Sequence, residues 1–383
     1  MNCEKLFAEI EALNEEYIGF WEDVCNIESP TSYKAGVDQC GKYFADWGAK
    51  MGFAVEVFSQ PKAGDVVCIT MNKDSEGAPI TLSGHLDTVH PVGMFGTPAV
   101  HRDEEKIYGP GVLDCKGGVV AAALAMAALK NCGFTARPVR LIMQTDEENG
   151  SSVSNKATIN HICETSKGSA AFLNLEGFKA GKAILSRKGI INYTFKITGQ
   201  EAHASNCATK GANAIREAAY KIIELEKLKD DNGLTCSCGV IGGGTVPNTV
   251  AGYCEFKINI RFATAEQLEW VKAYVKKIAD TVYVPGCTTE LEVFSTRLAM
   301  ELTERNMKLF ERMNEIYARN GLPTLQADGS KGGSDAAEVT AAGIPCIDSL
   351  GTEGGGIHSI REWAWLRSLA ESAKRLAAVV VEY

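Results

Sequence analysis

Three short, largely apolar runs in this chain each lead to a side chain that can bind a metal. They are Ile80–Thr–Leu–Ser–Gly–His85, which leads into Leu86–Asp87; Val139–Arg–Leu–Ile–Met–Gln144, which leads into Thr–Asp–Glu147–Glu148; and Ala170–Ala–Phe–Leu–Asn–Leu, which ends at Glu176. Short apolar runs of this kind, separated by helical stretches, read as buried strands of a mainly parallel sheet covered by helices. Open sheets of that class bind ligands in the crevice outside the carboxyl ends of their strands. Imidazoles and carboxylates gathered there are candidate donors for a borderline divalent metal. Two further segments add donors: Gly109–Pro–Gly–Val–Leu–Asp114–Cys–Lys–Gly–Gly118 and Gly354–Gly–Gly–Ile–His358.

The surrounding pattern fixes the fold class as α/β, with a mainly parallel sheet and helices on both faces. Helical periodicity covers Leu6 to Asn26 and Ser32 to Met51, ending at Gly52. The runs 54–58 and 66–70 read as strands, and the alanine-rich stretch from Gly117 to Lys130 as a helix. Near Lys188 the character changes. Ile191–Asn–Tyr–Thr–Phe–Lys–Ile–Thr alternates with period two, as do the runs 234–241, 253–261 and 289–294, with helical patterns at 211–228 and 264–279 between them. This β-α-β-β-α-β order predicts an inserted α+β domain of the split-βαβ, ferredoxin-like kind. Beyond Arg297 the first pattern returns, with helices at Thr303–Asn320 and Trp363–Glu382 around a buried strand in 343–350. The expected division is 1–187 and 298–383 for a discontinuous catalytic domain, and 188–297 for an inserted lid and dimerisation domain.

A chain of 383 residues is long enough for two cores. A formal charge of −9 argues against nucleic acid or an anionic membrane as partner, and no apolar run approaches a membrane span. The N-terminal segment is amphipathic and charged throughout, without a signal-peptide pattern. The 13 cysteines are scattered, with Cys236–Ser–Cys238 the one tight pair, so reduced buried thiols and a cytoplasmic location are expected.

Each candidate donor has a structural alternative. His85 and Asp87 leave an extended segment on the same side, so Asp87 can accept from the second ring nitrogen of a ligating His85, or simply bind turn amides. Asp114 reads equally as a helix N-cap. Glu147 and Glu148 cannot both point the same way in an extended chain, which lets one bind a metal while the other stays free as a base; alternatively they are an acidic turn. Glu176 and His358 are weak signals alone. The conjunction carries the argument, because five separate structural causes are a poor explanation of one shared strand-end placement.

The motifs His–x–Asp, Gly–x–x–Asp–x–Lys–Gly–Gly, Asp–Glu–Glu–x–Gly–Ser and a late His follow one another from about Asn26 onward. In that order they resemble the di-zinc metallopeptidase and deacylase family of bacterial glutamate carboxypeptidase G, succinyl-diaminopimelate desuccinylase, aminoacylase and peptidase T. Gly332–Gly–Ser–Asp–Ala–Ala and Ile344–Pro–Cys–Ile–Asp–Ser–Leu–Gly are most similar to the glutamate carboxypeptidase branch.

The resemblance implies that Asp114 bridges two divalent ions, zinc first, with cobalt or manganese fitting the same donors. His85 and Glu176 would complete one ion's set, and Glu148 and His358 the other's. Glu147 would be the general base and Asp87 the residue orienting His85. It also implies a non-proline cis bond at Asp114–Cys115. In the insert, His203 resembles a lid histidine that reaches across a homodimer to stabilise an oxyanion, while Asn248 and Arg261 resemble groups that hold a substrate carboxylate. A turn position for His203 and a cross-strand position for Arg261 are the structural alternatives. The implied activity is hydrolysis of an amide in a small peptide or N-acyl amino acid with a free carboxylate. A deacylase, a di- or tripeptidase, and a non-catalytic metal-binding homologue are the alternatives; the intact Glu147–Glu148 pair argues against the last.

Overall fold

In the computed structural model, which describes residues 2–231 and 233–383, the chain divides into two compact units. The first comprises Met1–Ser186, Leu302–Gly329 and Ser334–Tyr383; the second comprises Arg187–Glu301 and Ser330–Gly333. The second unit therefore extends past Arg297 and takes in a short distant segment, both beyond the 188–297 read from sequence. The segment is held there by hydrogen bonds: the Lys188 amide donates to the Ser330 carbonyl (3.1 Å), and Arg261 Nη1 to the Lys331 carbonyl (3.0 Å).

The first unit is built on a six-stranded sheet in the order Ala54–Phe58, Val66–Met71, Val139–Gln144, Ile80–His85, Ala171–Asn174, Cys346–Ile347. The last four of these run parallel to one another. Ala54–Phe58 pairs antiparallel with Val66–Met71, which pairs antiparallel with Val139–Gln144, so the sheet is mixed. The connection between those two strands is too short for a crossover and can only turn back. Register places Ile80 opposite both Val139 and Ala171, and His85 opposite Gln144. The three parallel strands thus end at one level, and Asp87, Glu147, Glu148 and Glu176 all emerge at the same edge.

The helix Lys116–Asn131 packs with the N-terminal helix Cys3–Asn26 and the C-terminal helix Arg367–Glu382. It is buried from Lys116 to Leu129, the signature of a helix without a solvent face. Its alanines combine high helix propensity with side chains small enough for close approach. The C-terminal helix begins at Arg367 instead of Trp363. Trp363–Ala–Trp365 is a strand paired with Lys106–Tyr108, so cross-strand pairing overrides the helical period there.

In the second unit four antiparallel strands lie in the order Thr235–Gly243, Tyr253–Phe262, Gly189–Thr198, Thr288–Arg297. Alternate residues form its core, with Phe195 stacked on Phe256 at 4.5 Å. The helices Ala214–Leu225 and Ala265–Asp280 are joined by the fully buried Lys221, which pairs with Glu217 at 3.1 Å and donates to the Ile278 carbonyl at 2.7 Å.

The Glu176 segment threads between two glycines. A Cβ at Gly118 would lie 2.1 Å from the Leu175 carbonyl oxygen, and one at Gly351 would lie 2.2 Å from the same atom. Gly118→Ala is therefore expected to destabilise the chain by about 1–3 kcal/mol, the usual range for an overpacked site. A urea unfolding midpoint equal to that of the wild type would show that the Leu175 segment has room to retreat.

A candidate metal centre

The donors converge on one carboxylate. Asp114 sits directly before the Lys116–Asn131 helix, whose N-cap is Cys115 and makes no side-chain cap, so Asp114 is not serving as the helix cap. Its two oxygens face different imidazoles: Oδ1 lies 3.1 Å from His85 Nε2, and Oδ2 lies 3.2 Å from His358 Nε2. His358 Nε2 is also 3.2 Å from Glu148 Oε2, and His85 Nε2 is 3.8 Å from Glu176 Oε1. His358 occupies a turn in the left-handed region, with φ +57, and its side chain is half exposed. The peptide bond Asp114–Cys115 is cis. Seven of the residues read from sequence, His85, Asp87, Asp114, Glu147, Glu148, Glu176 and His358, are thus brought together in the first unit.

Asp87 is fully buried, and its carboxylate does something the sequence did not reveal. His85 Nδ1 lies 2.8 Å from the main-chain oxygen of Asp87, against 3.5 Å from the carboxylate. It is thus the Asp87 main chain, more than the carboxylate, that orients the ring. The carboxylate instead accepts the amides of Glu147 (3.1 Å) and Glu148 (3.2 Å) and the Thr31 hydroxyl (2.7 Å). One aspartate therefore sets the ring plane of His85 and the backbone that carries both glutamates.

The ionisable groups of the cluster shift one another strongly. Burial would raise Asp114, but the hydrogen bonds from His358 and His85 outweigh it and hold its carboxyl far below the usual range. Burial likewise raises Asp87, and His85, Thr31 and the Glu148 amide reverse the sign. Glu148 is raised by burial and by the negative charges of Asp114 and Glu147. Glu176 is raised well above its ordinary value by burial, with Asp114 next. His358 is pushed up to about 10 by its bonds to Asp114 and Glu148. Burial and like charge thus favour the protonated forms of Glu148 and Glu176, whereas a divalent ion would favour the ionised ones.

The donor set fits such an ion. Ligand atoms of His85, Asp114 and Glu148 lie within 4.8 Å of one another, as do those of His85, Cys115 and Glu176. Imidazole with carboxylate is the set that takes zinc, cobalt or manganese. Cys115 is a poorer donor: burial raises its thiol, and its sulfur accepts the His85 amide at 2.9 Å. Cys115 and Thr31 were invisible in the sequence, since both act on main-chain or second-row atoms. So were His90 and Glu362, which lie behind Asp114.

In the second unit His203 caps the short turn Ala204–Asn206, its Nδ1 accepting from the Ser205 amide at 3.3 Å. Asn248 is its neighbour there, the Asn248 carbonyl accepting from Ala204 at 2.9 Å. Arg261 stands apart in the strand Tyr253–Phe262, with Nε donating to Asn259 Oδ1 at 3.0 Å. Burial, and then the charge of Arg297, lower its pKa. All 13 cysteines are free thiols. Among the described residues no helix is long and apolar enough to cross a membrane.

Known proteins are similar to this chain over most of its length. The profile of "Peptidase family M20/M25/M40" matches residues 81–382. Carboxypeptidase G2 of Pseudomonas sp. (strain RS-16) is 28% identical over 345 residues, covering 88% of this chain and 82% of that protein. An acetylornithine deacetylase of Buchnera aphidicola is 22% identical over 286 residues, covering 70% of this chain and 73% of its own length. The crystal structure of aminopeptidase PepT from Bacillus cereus shares the fold with a TM-score of 0.81 at 21% identity, covering 96% of this chain and 98% of that one.

His358, its pKa pushed up to about 10 by Asp114 and Glu148, favours the protonated ring, so a divalent ion bound to that ring would displace a proton. Uptake of zinc is expected to release protons, and affinity to weaken on acidification by about tenfold per pH unit for each proton displaced. Calorimetric titration in buffers of different ionisation enthalpy counts those protons. Uptake with none released would show that the imidazoles are not ligands.

Proposed function

Given that the chain belongs to peptidase family M20/M25/M40 and is a metallohydrolase of the peptidase or deacylase kind, we propose that it hydrolyses an amide bond in a small peptide or N-acyl amino acid with a free carboxylate. The observation that carries this reading is the Asp114 carboxylate, each of whose oxygens faces a different imidazole. That geometry supports two cation positions sharing Asp114: one completed by His85 and Glu176, the other by Glu148 and His358. Two divalent ions held there, zinc first, would polarise the carbonyl and acidify a water. Glu147, 5% exposed and fixed through its amide by Asp87, is the base that takes the water's proton and passes it to the leaving amine. The 28% identity to carboxypeptidase G2 favours a substrate ending in a free carboxylate, for which the Arg261 fork and Asn248 are suited. The deacylase reading is favoured by the acetylornithine deacetylase match.

The second unit's element order and its strand order support reading it as a ferredoxin-like lid and dimerisation domain. His203 accepts at Nδ1, so its neutral ring carries the proton on Nε2. A donor there is what an oxyanion needs. We take the chain to be a homodimer in which His203 serves the partner's site, acting on small molecules, without nucleic acid or membrane.

Glu147→Gln keeps the shape and removes the base. It should retain metal and substrate binding while kcat falls about 10²–10⁴-fold or more, whereas Asp114→Ala should lose both cations by elemental analysis. Near-normal turnover by Glu147→Gln would remove Glu147 from this role. Mixing Glu147→Gln with His203→Ala tests the dimer. Hybrid dimers contain one site with both residues intact, so activity should recover towards half of the wild-type value. No recovery despite demonstrated subunit exchange would confine His203 to its own chain or remove it from catalysis.

A further inference from the structure

Behind Asp114 lies a second carboxylate that no motif marks. Glu362 is 1% exposed and stands four residues after His358. Its Oε1 accepts the amides of Leu113 (2.9 Å) and Asp114 (3.0 Å). Its Oε2 accepts the Gly111 amide (3.3 Å) and the ring N–H of His90 (3.0 Å). An ionised carboxylate offers about four acceptor positions, and here all four are filled. Glu362 also holds the same loop through its main chain, its carbonyl accepting from Gly109 at 3.3 Å.

Glu362 and its donors belong to three different segments that carry proposed ligands. His90 lies five residues beyond His85, on the chain leaving the same strand, and its ring is 5% exposed. Gly111, Leu113 and Asp114 form the loop that ends in the shared carboxylate. Glu362 itself closes the turn that carries His358, its amide donating to the Ser359 carbonyl at 3.1 Å. Gly111 has φ +75, and a Cβ there would meet Thr88 and Lys116 at 3.2 Å, so its amide is aimed by backbone that favours glycine. One buried group thus fixes the Asp114 main chain relative to the segments that bring His85 and His358.

Resting on the metal-site reading above, we propose that Glu362, braced by His90, is the positioning residue of the centre. It sets Asp114 where its two oxygens can serve two cations at once. Glutamine cannot replace it. The amide oxygen accepts two N–H groups at most, and the amide nitrogen would turn its own hydrogens towards the remaining donors. The loop would then relax, and the shared ligand with it.

The test reads metal affinity, not turnover. Metal-free wild type, Glu362→Gln, His90→Gln and His90→Ala are titrated with zinc against a competing chelator, on protein shown to be folded by near-ultraviolet circular dichroism. Glu362→Gln should bind zinc about 10–100-fold more weakly, the loss typical when a ligand's supporting partner is removed. His90→Ala should be weakened in the same direction, and His90→Gln, which restores an N–H donor, should recover affinity. A purely structural Glu362 would lower the unfolding midpoint of the metal-free protein yet leave zinc affinity unchanged, and that result overturns the proposal. If Glu362→Gln does not fold, His90→Ala decides alone: weakened binding supports the assignment and unchanged binding overturns it. A wild-type chain that takes up no zinc overturns the metal-site reading and this inference together. A wild-type chain that binds zinc but cleaves no amide overturns only the function.

Discussion

Mutual repulsion among carboxylates is the constraint around which the first unit is organised. Asp87, Asp114, Glu147, Glu148 and Glu176 meet at one sheet edge, and Asp87 and Glu147 there are almost wholly buried. Negative charge withdrawn from water must be met by hydrogen bonds or cations. The chain answers each group differently. Asp87 receives two main-chain amides and a hydroxyl. Asp114 receives two imidazoles. Glu148 shares one of these, and Glu176 has the other only at 3.8 Å, so burial and the charge of Asp114 prevail and its pKa rises. The imbalance is the physical case for a cation, and it follows from the register that ends three strands at one level.

The gathering of the site was legible because its residues follow apolar runs whose burial admits few interpretations. His85, Glu147, Glu148 and Glu176 inherit their positions from strands, so recognising the strands locates the side chains. The same logic fails for Thr31 and Glu362. Their partners are a buried carboxylate and main-chain amides far away in sequence, and a main-chain N–H leaves no trace in residue identity. Glu362 looked like any other of 48 acidic residues. Asp87 was read as the residue orienting His85; its main-chain oxygen is what lies nearest that ring, while its carboxylate serves the backbone of the two glutamates. Local pattern shows that a polar group has a partner, and only the fold decides which atom it is.

The fold was legible to a similar depth. Alternation and its absence separated the two kinds of sheet, and the alanine-rich helix announced its own burial. The edges were not: the antiparallel pair at 54–71 depends on a connection length, and Trp363–Ala–Trp365 has a period compatible with either a helix or a short strand. At Trp363–Trp365 pairing with Lys106–Tyr108 decided. His203 adopts the turn role that its sequence allowed as the plain alternative, its Nδ1 accepting from the Ser205 amide.

The order of ligands along the chain has a consequence for biosynthesis. His85, Asp114, Glu148 and Glu176 precede the second unit, whereas His358 and Glu362 follow it. During translation the ribosome releases the carboxylates first and their second imidazole last. The second unit, nearly continuous in sequence, can fold meanwhile, since domains emerging early fold as units. The first unit must wait with a half-neutralised acidic edge, and without the helix Arg367–Glu382 that packs on Lys116–Asn131. The proposed set of donors is therefore complete only once the segment carrying His358 has been made, and until then the acidic cluster lacks the imidazole that faces Asp114 and Glu148.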